Sequence, residues 1–287
     1  MTEKAGLERR APAGIDTTRP TSAGIYNYVI GGEDHFPADR EAAEAMLAGN
    51  PYTAVGMRAT RAFLRRAVRW LADPRHGAVD QFLDIGSGFP TAGNVHEIAQ
   101  SVDPDARVVY VDYDPTVVAC ARALTAGDDR VRVIEGDLRR VEDILDHPDV
   151  RGFLDWRRPV ALVLNAVLHF VTDEQDPQRL IATVRDRMAP GSFLALSHGS
   201  MDGLDEILLP DQVRTAEEQY RRSADPLVLR THDRIQRFFD GFVLVEPGLV
   251  HAPRWRPDGT DDDGGLPPEV SGVYGGVARL PARATGP

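Results

Sequence analysis

The stretch that most constrains this chain is QFLDIGSGFPTAGN, residues 81–94. An apolar run there stops at an acidic residue and opens into a glycine turn. Phe82, Leu83 and Ile85 suit the core of a strand buried on both faces. Asp84 then stands at the strand's carboxyl end, where open α/β sheets bind their ligands. Gly86 and Gly88, with Ser87 between them, permit positive φ and let the backbone approach a ligand with no Cβ in the way. A glycine turn of this kind also occurs in purely structural βα connections. The residues that follow decide between the two.

From Ala78 onward, apolar β-branched runs alternate with helical patterns, which predicts βαβ units and a parallel sheet. Strands are expected at residues 81–85, 106–111, 131–134, 160–164 and 193–197, with helices near 93–102, 115–126, 141–145 and 177–188. A helical insert then spans about residues 201–239, made of one helix over 204–222 and another over 231–239. Two last strands are expected in GFVLVEPG (241–248) and VYGGVARL (273–280), separated by the acidic, glycine-rich DGTDDDGGLPP (258–268).

The strand ends carry an ordered set of polar residues. The second predicted strand runs into VDYDP, which places Asp112 and Tyr113 about 26 positions after Gly86. An acidic side chain there can accept both hydroxyls of a ribose and repels a 2′-phosphate. The third ends in EGDL, where Asp137, beside Leu138, can accept from an amine such as adenine N6. The fourth ends in NAVLHF, with Asn165, Ala166 and His169. A single aspartate in such a place is usually a helix cap. Three at successive strand ends, in this order, point to a nucleoside.

Before the sheet, residues 1–20 are polar and broken by proline and glycine, so a disordered tail is expected. Residues 21–77 read as a helical cap. Ser22 is the expected cap of a short helix ended by Gly31 and Gly32, and Pro37 suits the first turn of a second. A third helix over 52–72 carries Ala59, Ala62, Phe63 and Trp70 at helical spacing, with Arg58, Arg61, Arg65, Arg66 and Arg69 as a solvated flank. GGEDHFPADR (31–40) is dense in polar groups, as a solvated turn would be.

Composition narrows the function. The 287 residues hold 33 basic and 44 acidic side chains, a net charge of -11, which disfavours a phosphate backbone as partner. Cys120 is the single cysteine, expected as a small buried residue, so no disulfide and no thiolate metal site are expected. No apolar stretch has membrane-spanning length and the start has no signal-peptide core, so a cytoplasmic protein with no membrane partner is expected. Lys4 is the only lysine, and the arginine-dominated charge is typical of high-GC bacterial genomes.

DIGSG, VDYDP, EGDL and LNAVLHF, followed by PGSFLALSH and the two last strands, resemble in order the motifs of the class I S-adenosylmethionine-dependent methyltransferases. SAGIYNYVIGGEDHFPADREAAE, FPTAGNVHEIA, RWRPD and YGGVARL are further similar to a family of uncharacterised bacterial methyltransferase-like proteins with an N-terminal helical segment. The resemblance covers nearly the whole chain after Arg19. It implies a Rossmann-like α/β fold, with a seven-stranded, mostly parallel sheet that has one antiparallel strand, and S-adenosylmethionine as cofactor. Asp84, Gly86, Ser87, Gly88, Asp112, Tyr113, Asp137, Leu138, Asn165 and Ala166 would hold it.

Pro90 departs from the third glycine that a dinucleotide loop uses for helix packing beside a pyrophosphate, and so favours the sulfonium donor over NAD. No Asn/Asp-Pro-Pro-Tyr sequence follows the fourth strand, which removes the usual signature of base or amide N-methylation. The expected reaction is methyl transfer to an O or N acceptor of a small molecule. His169 is the first candidate for a base, with His35 and His198 as rivals. Residues 26–40 are expected to fold as a lid, in which Tyr26 and Phe36 wall a pocket and Asp34 meets the acceptor. Two other functions fit the same residues: S-adenosylmethionine binding without transfer, and NAD-dependent oxidoreduction.

Overall fold

The computed structural model describes residues 16–91, 93–200, 202, 227–259 and 266–282. Most of the expected tail, the helix over 204–222 and the middle of the acidic loop lie outside the described residues.

The elements run α1 (Ser22–Val29), α2 (Pro37–Gly49), α3 (Tyr52–Ala72), β1 (Gln81–Ile85), α4 (Val95–Val102), β2 (Arg107–Asp112), α5 (Pro115–Leu124), β3 (Val131–Glu135), α6 (Val141–Asp146), α7 (Pro148–Phe153), β4 (Ala161–Asn165), α8 (Pro177–Arg187), β5 (Phe193–Gly199), α9 (His232–Gln236), β6 (Val243–Leu244), β7 (Val250–His251) and β8 (Val273–Arg279). The sheet order is β3-β2-β1-β4-β5-β8-β6, with β7 also on β8. The first five strands are mutually parallel and β8 is antiparallel to its neighbours. β1 lies between β2 and β4, so the chain winds outward from it both ways. The switch point therefore falls beside the glycine turn.

The sheet has eight strands where seven were expected, because the sixth position is split. β6 and β7 are two-residue pieces on the same outer edge of β8, separated by Pro247, which has no N–H for the ladder, and by Gly248 at φ 91. β5 runs two residues beyond its expected end because β8 pairs with it as far as Gly199.

Alternation along β1 sorts the core onto the two faces of the sheet. Leu83 and Ile85 join Val109, Leu162 and Ile144 on one face. Phe82 joins Val108, Phe63 and Leu71 on the other, under α3 and α4. Asp84 follows Phe82 onto the α3 side, which later decides what it meets.

Two local expectations change. Thr21, not Ser22, caps α1, its hydroxyl accepting from Gly24 N at 3.0 Å. The arginines of α3 are not one solvated flank: Arg58 and Arg69 are exposed, but Arg66 is buried and donates to Trp255 O (2.8 Å) and Ala252 O (2.7 Å), tying the RWRPD segment to the helix. Cys120 is half-buried rather than fully enclosed.

Candidate cofactor and acceptor site

At the end of β1 the chain turns through Gly86 (φ 74) and Gly88 (φ 66). A Cβ on Gly86 would run into Val167, whereas one on Gly88 would meet nothing within 4 Å. The turn is built by its own backbone. Gly86 N and Ser87 N donate to Val111 O at 2.8 and 3.3 Å, and Gly88 N donates to Asp112 Oδ2 at 2.8 Å. Further along, Thr91 N donates to Asn94 Oδ1, and Gly93 N and Asn94 N to Glu97 Oε2. With Pro90 having no N–H, this loop keeps few backbone donors for an anion.

Two carboxylates face the turn. Asp84 is buried, and burial pushes its pKa up to about 7; Arg61 opposes the rise and Asp112 adds to it. Asp112 is pushed up to about 6, again by burial, against N–H donation from Asp114 and Gly88. Its carboxylate retains acceptor capacity beyond those two bonds, since it offers about four lone-pair positions.

A cavity of about 260 Å³ opens above these groups. Gly86, Gly88 and Asp112 form its floor, with Ser87 and Tyr113 beside them. Asn165 and Ala166 line a second side, and Ile25, Tyr26 and Met46 of the helical cap close the third. Ala166 is a non-glycine residue at φ 55, held there by donation of its N–H to Ser197 Oγ at 3.0 Å, while Ser197 Oγ donates to Asn165 Oδ1 at 2.8 Å. Left-handed backbone at a β-branched-free residue costs roughly 1–2 kcal/mol, so the surrounding bonds must impose it.

Two residues facing the cavity are held in one protonation state. The Tyr26 hydroxyl donates to Met57 O at 3.2 Å, and burial raises its pKa to about 12. Burial, helped by the nearby Arg230 guanidinium, depresses His169 to about 3. Both are therefore neutral at physiological pH, the phenol protonated and the imidazole not cationic.

Residues 8–281 match the family of S-adenosyl methyltransferases. The chain belongs to that family. Its fold is shared by a DUF574 family protein from Streptomyces avermitilis, 43% identical, with a TM-score of 0.85 over 93% of this chain and 99% of that one. A methyltransferase-assigned structure from Thermobifida fusca is 40% identical, with a TM-score of 0.85 over 94% of this chain and 98% of that one. Among curated proteins, ribosomal RNA small subunit methyltransferase H of Bordetella petrii is 34% identical over 61 residues. That match spans 21% of this chain and 17% of the relative's length. The cofactor of the family is S-adenosylmethionine, and the site suits it: an acidic strand end for a ribose, and open space at the Cβ position of Gly88.

The fold brings Asp84, Gly86, Ser87, Gly88, Asp112, Tyr113, Asn165, Ala166, Tyr26, His169 and His198 to one cavity. Other residues singled out in the sequence lie elsewhere. Asp137 accepts from Arg139 N (2.9 Å) and Nε (2.8 Å) and caps the 3₁₀ turn that follows, while Leu138 is in the core. Arg139 in turn lies 5.7 Å over the Tyr113 ring, at the rim.

Asp34, His35 and Phe36 are not among the residues that line the cavity. The Asp34 N–H and His35 Nδ1 contact Asn27 Oδ1 (2.9 and 3.3 Å), and Phe36 N donates to Asp39 Oδ2 at 2.8 Å. Buried Asp39 also accepts from Thr21 N at 2.8 Å, with Gly24 pressed against its carboxylate. The polar density of GGEDHFPADR is thus the clasp of the α1–α2 hairpin. Ser22, Ala23, Ile25 and Tyr26 on α1 are what reach the site.

His198 is fully buried and satisfied at both nitrogens, donating from Nδ1 to Gly199 O (2.7 Å) and accepting at Nε2 from Arg230 (3.0 Å). Arg230 carried no sequence signal. Its guanidinium also donates to Leu168 O, Val171 O and Asp173 Oδ1, which fixes the turn that presents His169. Such a residue is visible only once the insert folds back on the β4 end.

Proposed function

We propose that this protein transfers the methyl group of S-adenosylmethionine to an O or N nucleophile of a small, largely apolar molecule held in the cap half of the cavity. The observation that carries the reading is the continuity of one cavity from Asp112 and the glycine turn to a wall of Ile25, Tyr26 and Met46. That wall bears no ionised group. The bound donor supplies an electrophilic methyl carbon on a sulfonium, and transfer leaves a neutral thioether.

Asp112 would accept the ribose hydroxyls and Tyr113 would border the base. Asp84 would accept from the amino group at the other end of the cofactor. Asp137 and Leu138, just past Tyr113, remain candidates for the adenine edge if Arg139 turns aside. The cap excludes water from the reacting atoms, where in-line geometry governs the rate. A histidine depressed to about 3 is a poor proton acceptor at neutral pH, so His169 is better suited to orienting the acceptor by hydrogen bonding than to acting as a base.

NAD chemistry fits less well. A pyrophosphate asks the glycine turn and helix start for free N–H groups, and Gly86, Ser87, Gly88, Gly93 and Asn94 already donate within the protein. The test is transfer of a trideuterated methyl group from labelled S-adenosylmethionine to a bacterial extract split into low-mass, RNA and protein fractions. Label in the low-mass fraction is expected. Label in RNA or protein alone, or tight cofactor binding with no transfer, would overturn the proposal in favour of a macromolecular substrate or a binding protein.

A further inference from the structure

We infer that Arg61 is the residue that recognises the α-carboxylate of the cofactor, working opposite Asp84, so that the two read the amino-acid end of the ligand as a zwitterion. The inference rests on the reading of the cavity as the S-adenosylmethionine site.

S-adenosylmethionine carries an α-carboxylate, and an anion brought into a half-buried site needs a partner of opposite charge or good donors. Among the described residues, most of the usual donors are committed within the protein. In dinucleotide and phosphate loops the anion sits on backbone N–H groups at a glycine turn and a helix start. In this chain Gly86 N and Ser87 N are committed to Val111 O, and Gly88 N to Asp112. The start of α4 is closed by its own side chains: Asn94 accepts from Thr91 N, and Glu97 accepts from Gly93 N and Asn94 N. Glu97 also places a negative charge where a carboxylate would otherwise be drawn by the helix dipole. With these donors committed, a cationic side chain is the partner best placed to meet the anion's charge.

Among the described residues lining the cavity, Arg61 is the only cationic one. It projects from α3 on the face of the sheet to which alternation sends Asp84, and it borders both the cavity and a small recess behind Gly88 that Asp84 shares. It is already oriented, donating from Nη2 to Thr91 O (3.1 Å) and Asn94 Oδ1 (3.3 Å). Those bonds, to a carbonyl and an amide oxygen, fix the guanidinium at the edge of the cavity. Its field reaches both Asp84 and Tyr26, on opposite sides of the cavity. A guanidinium also presents planar paired donors that match a carboxylate. Asp84 and Arg61 thus offer a carboxylate and a guanidinium on the same cavity and recess, the complement of an α-ammonium and an α-carboxylate.

The test compares three ligands by calorimetry on the full chain: S-adenosylhomocysteine, its decarboxylated analogue, and 5′-methylthioadenosine, which lacks the amino-acid end. The wild-type protein should bind the decarboxylated analogue about tenfold or more weakly than S-adenosylhomocysteine, as expected for a lost charge-assisted pair. Arg61→Met should weaken S-adenosylhomocysteine by a similar factor and change methylthioadenosine less than about twofold. Arg61→Lys should recover part of the loss. Equal weakening of all three ligands in Arg61→Met would show that Arg61 acts only by holding the 91–94 loop, and would overturn the inference. Equal affinity of the wild-type protein for S-adenosylhomocysteine and its decarboxylated analogue would overturn it without any variant. Failure of the wild-type protein to bind any of the three ligands would instead remove the cofactor site, and the inference with it.

Discussion

Cofactor affinity should depend steeply on pH between 8 and 6, because two carboxylates at the site must ionise to accept hydrogen bonds. Burial pushes the Asp84 carboxyl up to about 7 and that of Asp112 up to about 6. If S-adenosylhomocysteine binds the form with both ionised, the two titrations together make its apparent dissociation constant rise on the order of tenfold from pH 8 to pH 6. Asp84→Asn removes the larger step and keeps the shape. Its affinity should be lower at pH 8 but should fall only about twofold by pH 6.

Stability of the ligand-free protein should run the other way. Both folded values lie above the unfolded value, so the native state holds more protons across roughly pH 4 to 7 and these two groups destabilise it increasingly as pH rises through that window. Calorimetric titrations at four pH values, with urea unfolding at the same values, measure both. A flat affinity profile for the wild-type protein, or the same profile in Asp84→Asn, would refute the role given to Asp84.

Three further outcomes are expected. Asp112→Ala should weaken S-adenosylhomocysteine binding by about 1.5–3 kcal/mol, measured by calorimetry, since hydroxyl bonds to a charged acceptor are lost. Gly86→Val should abolish that binding, because the new Cβ meets the Val167 side chain at a backbone position with φ of 74; thermal shift with and without ligand reads it. Arg230→Met should cost about 2–4 kcal/mol in urea unfolding, because Leu168 O, Val171 O and His198 Nε2 lose their donor, and it should loosen the turn carrying His169.

The parallel sheet was legible because strands buried on both faces have to be written as continuous apolar runs, and β1 is buried at all five positions. The gathering of polar strand ends around one cavity was legible for a related reason. Asp84, Asp112 and Asn165 each occupy a strand end, and strand order alone brings such ends together. What the sequence hid were contacts between segments distant in the chain. Arg61 and Arg66 read as surface charges on an amphipathic helix, but one faces the cavity and the other is capped by carbonyls nearly 190 positions away. Arg230 lay in an insert with no strand to anchor it. Asp34, His35 and Phe36 misled for the opposite reason: polar groups that satisfy one another across a hairpin look, in one dimension, like groups awaiting a ligand.

The most direct measurement of the central claim is a crystal structure with S-adenosylhomocysteine. The account predicts ribose hydroxyls on Asp112, the amino-acid end between Asp84 and Arg61, and the sulfur facing the pocket walled by Tyr26 and Met46. A ligand bound with its sulfur toward bulk solvent, or outside the cavity between α1 and the glycine turn, would contradict it.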